Sequence, residues 1–121
     1  MILLDSNILI YSAQRGFADL RPLVSNPLNA VSAFTMLEIL GFPSLTPVDK
    51  VYFETAFKIL QVFEINQPVL NQAIKLRQTK KMPPGDAIIA ATALVYDYEI
   101  YTRNEADFRW VTGLKVVNPI P

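Results

Sequence analysis

The sequence predicts an α/β fold in which a short central parallel sheet of four to five strands lies between layers of helices. Short, nearly all-apolar segments alternate along the chain with longer segments of helical character, the order expected of strand–helix–strand units. The apolar segments lack alternating polar residues, which is typical of strands covered by helices on both faces. Proline and glycine residues mark many of the boundaries between the two kinds of segment.

Two strand–helix pairs are predicted in the first part of the chain. The apolar run 2–4 is followed by Asp5-Ser6-Asn7, three residue types that favour helix N-termini, so a buried strand should lead into a helix. A second short strand is expected over residues 29–31, and Ser32 can cap the helix after it, with Gly41 as its stop. The helices expected here cover residues 8–14, 18–24 and 33–40.

Prolines mark the predicted starts of the helices in the second part of the chain. Pro47 and Pro68 suit the first turn of a helix, because the amide proton that proline lacks would be unpaired there. Pro83-Pro84-Gly85 is a rigid break, after which Asp86 begins an apolar helix. The expected helices cover residues 48–60, 68–79 and 86–95, and the expected strands cover residues 62–65, 99–102 and 115–117.

Composition excludes several kinds of chemistry. The chain has no cysteine and no histidine, which excludes disulfides, a thiol nucleophile, a Ser–His–Asp triad and histidine-rich zinc sites. Catalysis would depend on carboxylates, hydroxyls, amines or a bound ion. Since 11 basic and 11 acidic residues balance, a nucleic-acid substrate would need a local basic patch.

Length and hydropathy indicate one soluble domain. The 121 residues fit a single domain over 1–121, and no linker or repeat argues for a second. No apolar run approaches the ~20 residues of a membrane span. Asp5 interrupts the N-terminal apolar run too early for a signal peptide. We therefore expect a soluble, cytoplasmic protein without membrane contact.

Four acidic residues stand out by their surroundings. Asp5 ends the first strand, and Asp107 follows the strand that ends at Thr102. Glu38 and Asp86 are each the only charge in an otherwise apolar helical segment, with no lysine or arginine to pair with them. Because burying an unpaired carboxylate is costly, a divalent cation that neutralises several of them would explain their positions. Sites in parallel sheets form beyond the carboxyl ends of the strands.

Each acidic residue also has a simpler structural explanation. Asp5 and Asp86 can each be a helix N-cap, and Asp107 can be an ordinary turn residue. Glu38 stands three residues after Thr35, the spacing of a capping box, although its helix is expected to begin one turn earlier. Taken singly, these explanations are favoured. Taken together, two strand ends and a helix start at one sheet edge favour a shared site.

Four motifs resemble those of the PIN-domain ribonucleases, in the same order. They are Asp5-Ser6-Asn7 after a short strand, Ser32 through Glu38, Pro84-Gly85-Asp86-Ala87-Ile88-Ile89-Ala90-Ala91-Thr92-Ala93, and Thr102-Arg103-Asn104-Glu105-Ala106-Asp107-Phe108. The set of motifs spans nearly the whole chain. Within the family, the chain most resembles the VapC-like toxins of prokaryotic toxin–antitoxin pairs, which share its compact size. The resemblance implies a PIN-like three-layer sandwich.

The resemblance also implies RNA cleavage at a metal-binding acidic site. It makes Asp5, Glu38 and Asp86 the core of that site, completed by Asp107. The supporting polar groups would be Asn7, Thr102 and Asn104. Asn104 departs from relatives that carry an acidic residue there, so either one or two metal ions are compatible with the motif.

Oxygen ligands suit Mg²⁺ or Mn²⁺, and either ion can activate water for in-line attack on phosphorus. Clustered carboxylates raise one another's pKa, so the metal-free site should be partly protonated near neutral pH and should release protons when metal binds.

Basic residues near the site segments are candidates for RNA contact. Lys80 and Lys81 end the densest basic run and precede the Asp86 loop, while Arg15 and Arg103 flank other site segments. Lys75 and Arg77 are better explained as a solvated helix end. Tyr98 and Tyr101 are possible base-stacking residues, with packing in the strand core favoured for Tyr101.

Two partners are expected. The apolar residues of the 48–60 helix spread wider than one stripe, which predicts that a second face lies in a homodimer interface. The resemblance implies a small cognate antitoxin that blocks the site.

Two other functions stay open. One is a DNA nuclease with a related acidic site, and the other is a catalytically silent interaction module of the same fold. A nucleotide-binding domain is disfavoured, because the chain has four glycines and no glycine-rich phosphate loop.

Overall fold

Five parallel strands form the predicted sheet. The computed structural model describes all 121 residues. The strands are β1 (Ile2–Leu4), β2 (Ala30–Ser32), β3 (Gln61–Phe63), β4 (Glu99–Tyr101) and β5 (Val116–Val117). Their order across the sheet is β3-β2-β1-β4-β5, and every neighbouring pair is parallel. The strand order reverses at β1, with β2 on one side and β4 on the other. In α/β sheets the crevice at such a switch point is where ligands bind.

Six helices surround the sheet. They are α1 (Ser6–Ser12), α2 (Arg21–Val24), α3 (Ala33–Leu40), α4 (Pro47–Ile59), α5 (Gln67–Thr79) and α6 (Pro84–Tyr96). Single 3₁₀ turns cover Ala18–Leu20 and Glu105–Asp107. None of the helices has the length and apolar character that a membrane crossing needs.

Two helices begin two residues earlier than the sequence predicts, whereas α4 and α5 begin only one residue earlier. α1 begins at Ser6 rather than Ile8, because the Asp5 side chain already accepts a hydrogen bond from the Ser6 amide. α6 begins at Pro84, with Pro83 in the capping position and no side-chain cap. Asp86 is therefore the third residue of its helix, and the explanation of this residue as an N-cap is wrong.

The predicted helix over 18–24 also differs. It divides into the 3₁₀ turn and α2, which begins at Arg21 so that Pro22 lies in the first helical turn. Proline is tolerated there because it has no amide proton to leave unpaired.

The pleat of the strands divides the core into two layers. Leu3, Ala30 and Ile100 point to the side covered by α5 and α6, and Leu4 and Val31 point to the side covered by α1 to α4. All five side chains are fully buried. Burial of a leucine or valine stabilises a fold by about 1.5–3 kcal/mol. The three-layer α/β architecture is thus confirmed.

Gly85 allows the start of α6 to lie against α3. A Cβ atom at this position would be 2.5 Å from Cε2 and 2.7 Å from Cζ of Phe34, much closer than carbon atoms normally approach. Phe34 lies one turn before Glu38, and Gly85 directly precedes Asp86. The missing side chain therefore brings two of the predicted site segments together.

Candidate active site

Asp5 lies at the carboxyl end of the central strand. Its backbone amide donates to the Tyr101 carbonyl of β4, so the strand pairing fixes its position at the switch point. Asp5 is 6% exposed, and its carboxylate accepts three hydrogen bonds. They come from the Ser6 amide (2.8 Å), the Thr102 hydroxyl (2.7 Å) and the Asn7 side-chain amide (3.3 Å). Burial raises the pKa of Asp5 and outweighs these hydrogen bonds, which lower it, while the Glu38 charge raises it further.

The predicted supporting residues form one network around Asp5. The Asn7 side chain donates to Thr102 Oγ1 (3.3 Å) and accepts from the Arg103 backbone amide (3.1 Å). Asn104 takes part through its backbone amide, which donates to Thr102 Oγ1 (3.0 Å). The network holds the loop after β4 against the start of α1.

The Ser6 hydroxyl positions Glu38, and the Thr35 hydroxyl contacts Ser6 in turn. The Ser6 hydroxyl lies 2.6 Å from Glu38 Oε1 and 3.1 Å from Thr35 Oγ1. A hydroxyl has only one proton to donate. Ser6 therefore donates to Glu38 Oε1, which is the shorter contact, and accepts a hydrogen bond from the Thr35 hydroxyl. Ser6 and Thr35 were expected only as possible helix caps, and the hydrogen bonds that link them to Glu38 were not predicted. Ser6 directly follows Asp5, and Thr35 lies one helical turn before Glu38. This closeness of each hydroxyl to a candidate acid was the signal in the sequence that could have indicated these hydrogen bonds.

The burial expected of the acidic residues holds only in part. Asp5 is buried and Asp86 is half-buried, but Glu38 and Asp107 are exposed. The burial expected of Glu38 from its apolar segment is wrong, because its position on α3 turns the side chain away from the sheet. Glu38 does lie in the helix interior, since Ser32 caps α3 by accepting from the Phe34 amide.

Asp86 has no partner for its negative charge. It takes part in neither of the two ion pairs of the molecule, which join Arg109 to Glu105 and Lys115 to Glu99. Partial burial raises its pKa from 3.8 to about 6, with further contributions from the charges of Asp5, Asp107 and Glu38.

The four predicted acids therefore share one electrostatic field. None of them is paired with a lysine or arginine, and the pKa of Asp86 responds to all three others. Their donor chemistry, carboxylate oxygens with neighbouring hydroxyl and amide groups, suits a hard divalent cation such as Mg²⁺. The side chains as they stand do not make a ready set of three or more ligands around one point. Metal binding would have to draw the carboxylates together.

The four predicted RNA-contacting residues are all exposed. The Arg103 guanidinium lies over the Tyr11 ring, 5.0 Å from its centroid, and Lys80 Nζ lies 5.5 Å from the Trp110 ring centroid. Trp110 donates its indole N–H to the Asp107 carbonyl, so Lys80 stands beside the loop that carries Asp107. Lys81 and Arg15 make no ion pair. RNA contact by these residues stays a prediction.

Tyr98 and Tyr101 are not exposed stacking residues. Tyr98 is buried and meets the Phe63 ring edge-on. Tyr101 is half-buried and packs against the core layer of α1 to α4, as favoured from the sequence.

Comparisons with known proteins agree with the motifs. The model of the PIN-domain family matches residues 2–113. A chain of a toxin–antitoxin complex from Klebsiella pneumoniae is 32% identical, with a TM-score of 0.79 over 99% of this chain and 98% of that one. No curated protein matches the sequence at a significant level.

Two further structures share the fold at lower identity. One is VapBC-1 from nontypeable Haemophilus influenzae, with 24% identity, a TM-score of 0.78 and 98% of both chains covered. The other is DNA-bound VapBC from Salmonella typhimurium, with 19% identity, a TM-score of 0.80 and 96% of both chains covered. The resemblance to VapC-like proteins inferred from the motifs is thereby confirmed, and this chain belongs to the PIN-domain family.

Proposed function

We propose that this chain is a divalent-metal-dependent endoribonuclease and the toxin of a toxin–antitoxin pair. The observation that carries the proposal is Asp86, a half-buried carboxylate without a partner in the field of three other acids. Family membership and the toxin–antitoxin complexes among its structural relatives support the same function. A cytoplasmic location and a single domain over residues 1–121 stay predictions of the sequence.

Each acid has a distinct part in the proposed mechanism. Asp5 is held rigidly by three hydrogen-bond donors and would be the fixed ligand of Mg²⁺ or Mn²⁺. Asp86 has no competing partner and would turn its carboxylate to the ion, releasing the proton that it holds at lower pH. Glu38, oriented by Ser6, and Asp107 would complete the site or position the attacking water. When bound, the ion would supply charge neutralisation at the phosphate and a more acidic water.

A cleavage assay with matched variants tests the proposal. We expect Mg²⁺ or Mn²⁺ to support cleavage of single-stranded RNA and EDTA to abolish it. Asp86→Asn should reduce the rate at least about 100-fold, because loss of even an outer-shell partner of a metal costs 10–100-fold. Asp97→Asn is the control. Asp97 ends the same helix in a left-handed conformation that asparagine also tolerates, so this variant should keep full activity.

The same assay separates the alternatives. Cleavage of a DNA strand of the same sequence, but not of the RNA, would make the chain a DNA nuclease. Binding of RNA without cleavage under any metal would indicate a silent interaction module. Equal rates for wild type and Asp86→Asn would show that these carboxylates are not the active site.

An apolar groove beside Glu38 is the proposed contact surface of the antitoxin. It encloses about 370 Å³, and its lining includes Ile10, Phe42, Leu45 and the carboxylates Glu38 and Asp49. Phe42 and Ile10 are exposed, so a partner could cover them and block the site together. Phe42→Asp should abolish inhibition by the cognate antitoxin while RNA cleavage persists.

A homodimer through α4 is the second proposed assembly. Val48, Val51, Thr55 and Ile59 follow one another at helical spacing and form an exposed stripe. The buried residues Phe53 and Phe57 lie on the other side of the same helix. We expect light scattering to give a dimer at micromolar concentration and Val51→Lys to give a monomer.

A further inference from the structure

A cation and an aromatic ring form a platform at the edge of the candidate active site. The Arg103 guanidinium carbon lies 5.0 Å from the centroid of the Tyr11 ring. Tyr11 is half-buried, and Phe17 braces it with a ring-centroid distance of 4.9 Å and a tilt of 55°. Arg103 itself is exposed. The guanidinium is therefore supported by an aromatic ring and remains accessible to solvent.

The platform is attached to the acidic site by short connections. Arg103 directly follows Thr102, whose hydroxyl donates to Asp5. Its backbone amide donates to the Asn7 side chain, which in turn donates to Asp5. Tyr11 lies one helical turn after Asn7 and so extends from the same side of α1. Movement of the platform relative to Asp5 would break these hydrogen bonds.

The charge of Arg103 has no acidic partner. The ion pairs of the molecule use Arg109 and Lys115, so Arg103 is free to meet a phosphate or a base. This freedom matters because the chain has no net charge and the neighbouring cluster is acidic. A nucleic acid approaching the site needs a local attraction that the protein as a whole does not provide.

We propose that Arg103, supported by Tyr11, is a stacking plane for one unpaired base of the RNA next to the cleaved phosphodiester. The inference rests on the proposed ribonuclease function and names a specificity-determining residue for it. Unpaired bases in RNA commonly stack on arginine guanidinium planes and aromatic rings. A guanidinium held over a tyrosine ring presents a flat, positively charged surface that suits the π-face of a base.

Binding measurements with abasic RNA test the stacking. The Asp86→Asn protein would be titrated into a short, unstructured, fluorescently labelled RNA and into copies in which one nucleotide at a time lacks its base. We expect one position at which loss of the base weakens binding about 5- to 150-fold, the range of a single stacked base. In the Arg103→Lys background, which keeps the charge but loses the plane, the same abasic RNA should bind as well as the intact RNA.

Two companion variants separate stacking from charge. Arg103→Ala should reduce the slope of log affinity against log salt by about one, because it removes one cation held close to the RNA backbone, whereas Arg103→Lys should preserve the slope. Arg109→Lys is the matched control, since Arg109 pairs with Glu105 and stacks on no ring. It should leave the abasic effect intact.

The outcomes distinguish this inference from the proposed function. If wild type cleaves RNA but no abasic position matters, or if Arg103→Lys keeps the abasic effect, the stacking proposal is wrong and the nuclease stands. If the base effect is present but no metal supports cleavage, the nuclease proposal fails, and Arg103 stacks on a base of an RNA that is bound but not cut. Absence of any RNA binding would overturn both.

Discussion

Replacing Asp86 with asparagine should stabilise the metal-free protein at neutral pH. The fold raises the pKa of Asp86 from 3.8 to about 6 through burial and the charges of Asp5, Asp107 and Glu38. At 1.36 kcal/mol for each tenfold change in proton affinity, this corresponds to about 3 kcal/mol. Because the carboxylate is only half-buried, solvent screening reduces the expected effect to about 1–2 kcal/mol.

The direction of the pKa shift of Asp86 determines how the stability gain of Asp86→Asn depends on pH. In the unfolded chain Asp86 ionises near pH 4, and in the fold near pH 6. Between these values the folded state binds more protons, so the free energy of unfolding falls as the pH rises. Asparagine does not titrate, and the advantage of Asp86→Asn should therefore vanish below about pH 3, be small at pH 4, grow through pH 4–6 and be complete above about pH 7.

Urea denaturation in EDTA measures this difference directly. With a slope of about 2 kcal/mol per molar urea, the midpoint of Asp86→Asn should lie about 0.5–1 M above that of wild type at pH 7.5. At pH 4 the two midpoints should differ by no more than about 0.2 M, since most of the effect is lost there. Glu54→Gln, on an exposed face of α4, is the control and should change stability by less than about 0.5 kcal/mol at either pH.

Two results would refute the reasoning. A lower midpoint for Asp86→Asn at pH 7.5 would mean that the carboxylate has a stabilising partner. An equal gain at pH 4 and pH 7.5 would mean that the effect comes from packing rather than from charge.

Three more predictions follow from the geometry of the site. Mn²⁺ binding at pH 6 should release about half a proton from Asp86, so calorimetry in two buffers of different ionisation enthalpy should give different heats, and equal heats would contradict the raised pKa. Gly85→Ala should destabilise the protein by about 1–3 kcal/mol in urea because its Cβ would overlap the Phe34 ring, and an unchanged midpoint would show that the ring moves away freely. Ser6→Ala should weaken Mn²⁺ binding about 10- to 100-fold by releasing Glu38, with Ser6→Thr retaining most of the affinity, whereas equal loss in both variants would indicate a packing role.

The sheet could be predicted because its signals are local. β1 and β2 are short runs that lead directly into a helix cap, Asp5 and Ser32, and the alternation of strands with helices predicts parallel pairing. Parallel strands place their carboxyl ends at one edge, so Asp5 after β1 and Thr102 after β4 were expected near each other. Their 2.7 Å hydrogen bond agrees with that expectation.

The detailed geometry of the site could not be predicted, because it depends on distances between separate segments. Glu38 is exposed although its segment is apolar, since a helix position decides burial only once the helix has docked. The Asp86 cap was wrong because Pro83 and Pro84 start the helix earlier than the first polar side chain suggests. The contact of Ser6 with Glu38 joins residues 32 positions apart, and no local pattern reveals it.

The cations near the cluster are held on aromatic rings instead of on carboxylates. An arginine free to move beside unpaired acids would form a charge-assisted hydrogen bond with one of them. Here the Tyr11 ring holds Arg103, and the Trp110 ring holds Lys80 beside the loop of Asp107. A cation–π contact is worth about 0.5–1 kcal/mol at an exposed site, enough to bias a side chain without neutralising it. Under the proposed function, this arrangement would leave the carboxylates available to a metal ion and the cations available to a phosphate or a base. The raised pKa of Asp86 means that its ionised carboxylate lowers the free energy of unfolding at neutral pH. Such a loss of stability is common where a functional site keeps charges unpaired.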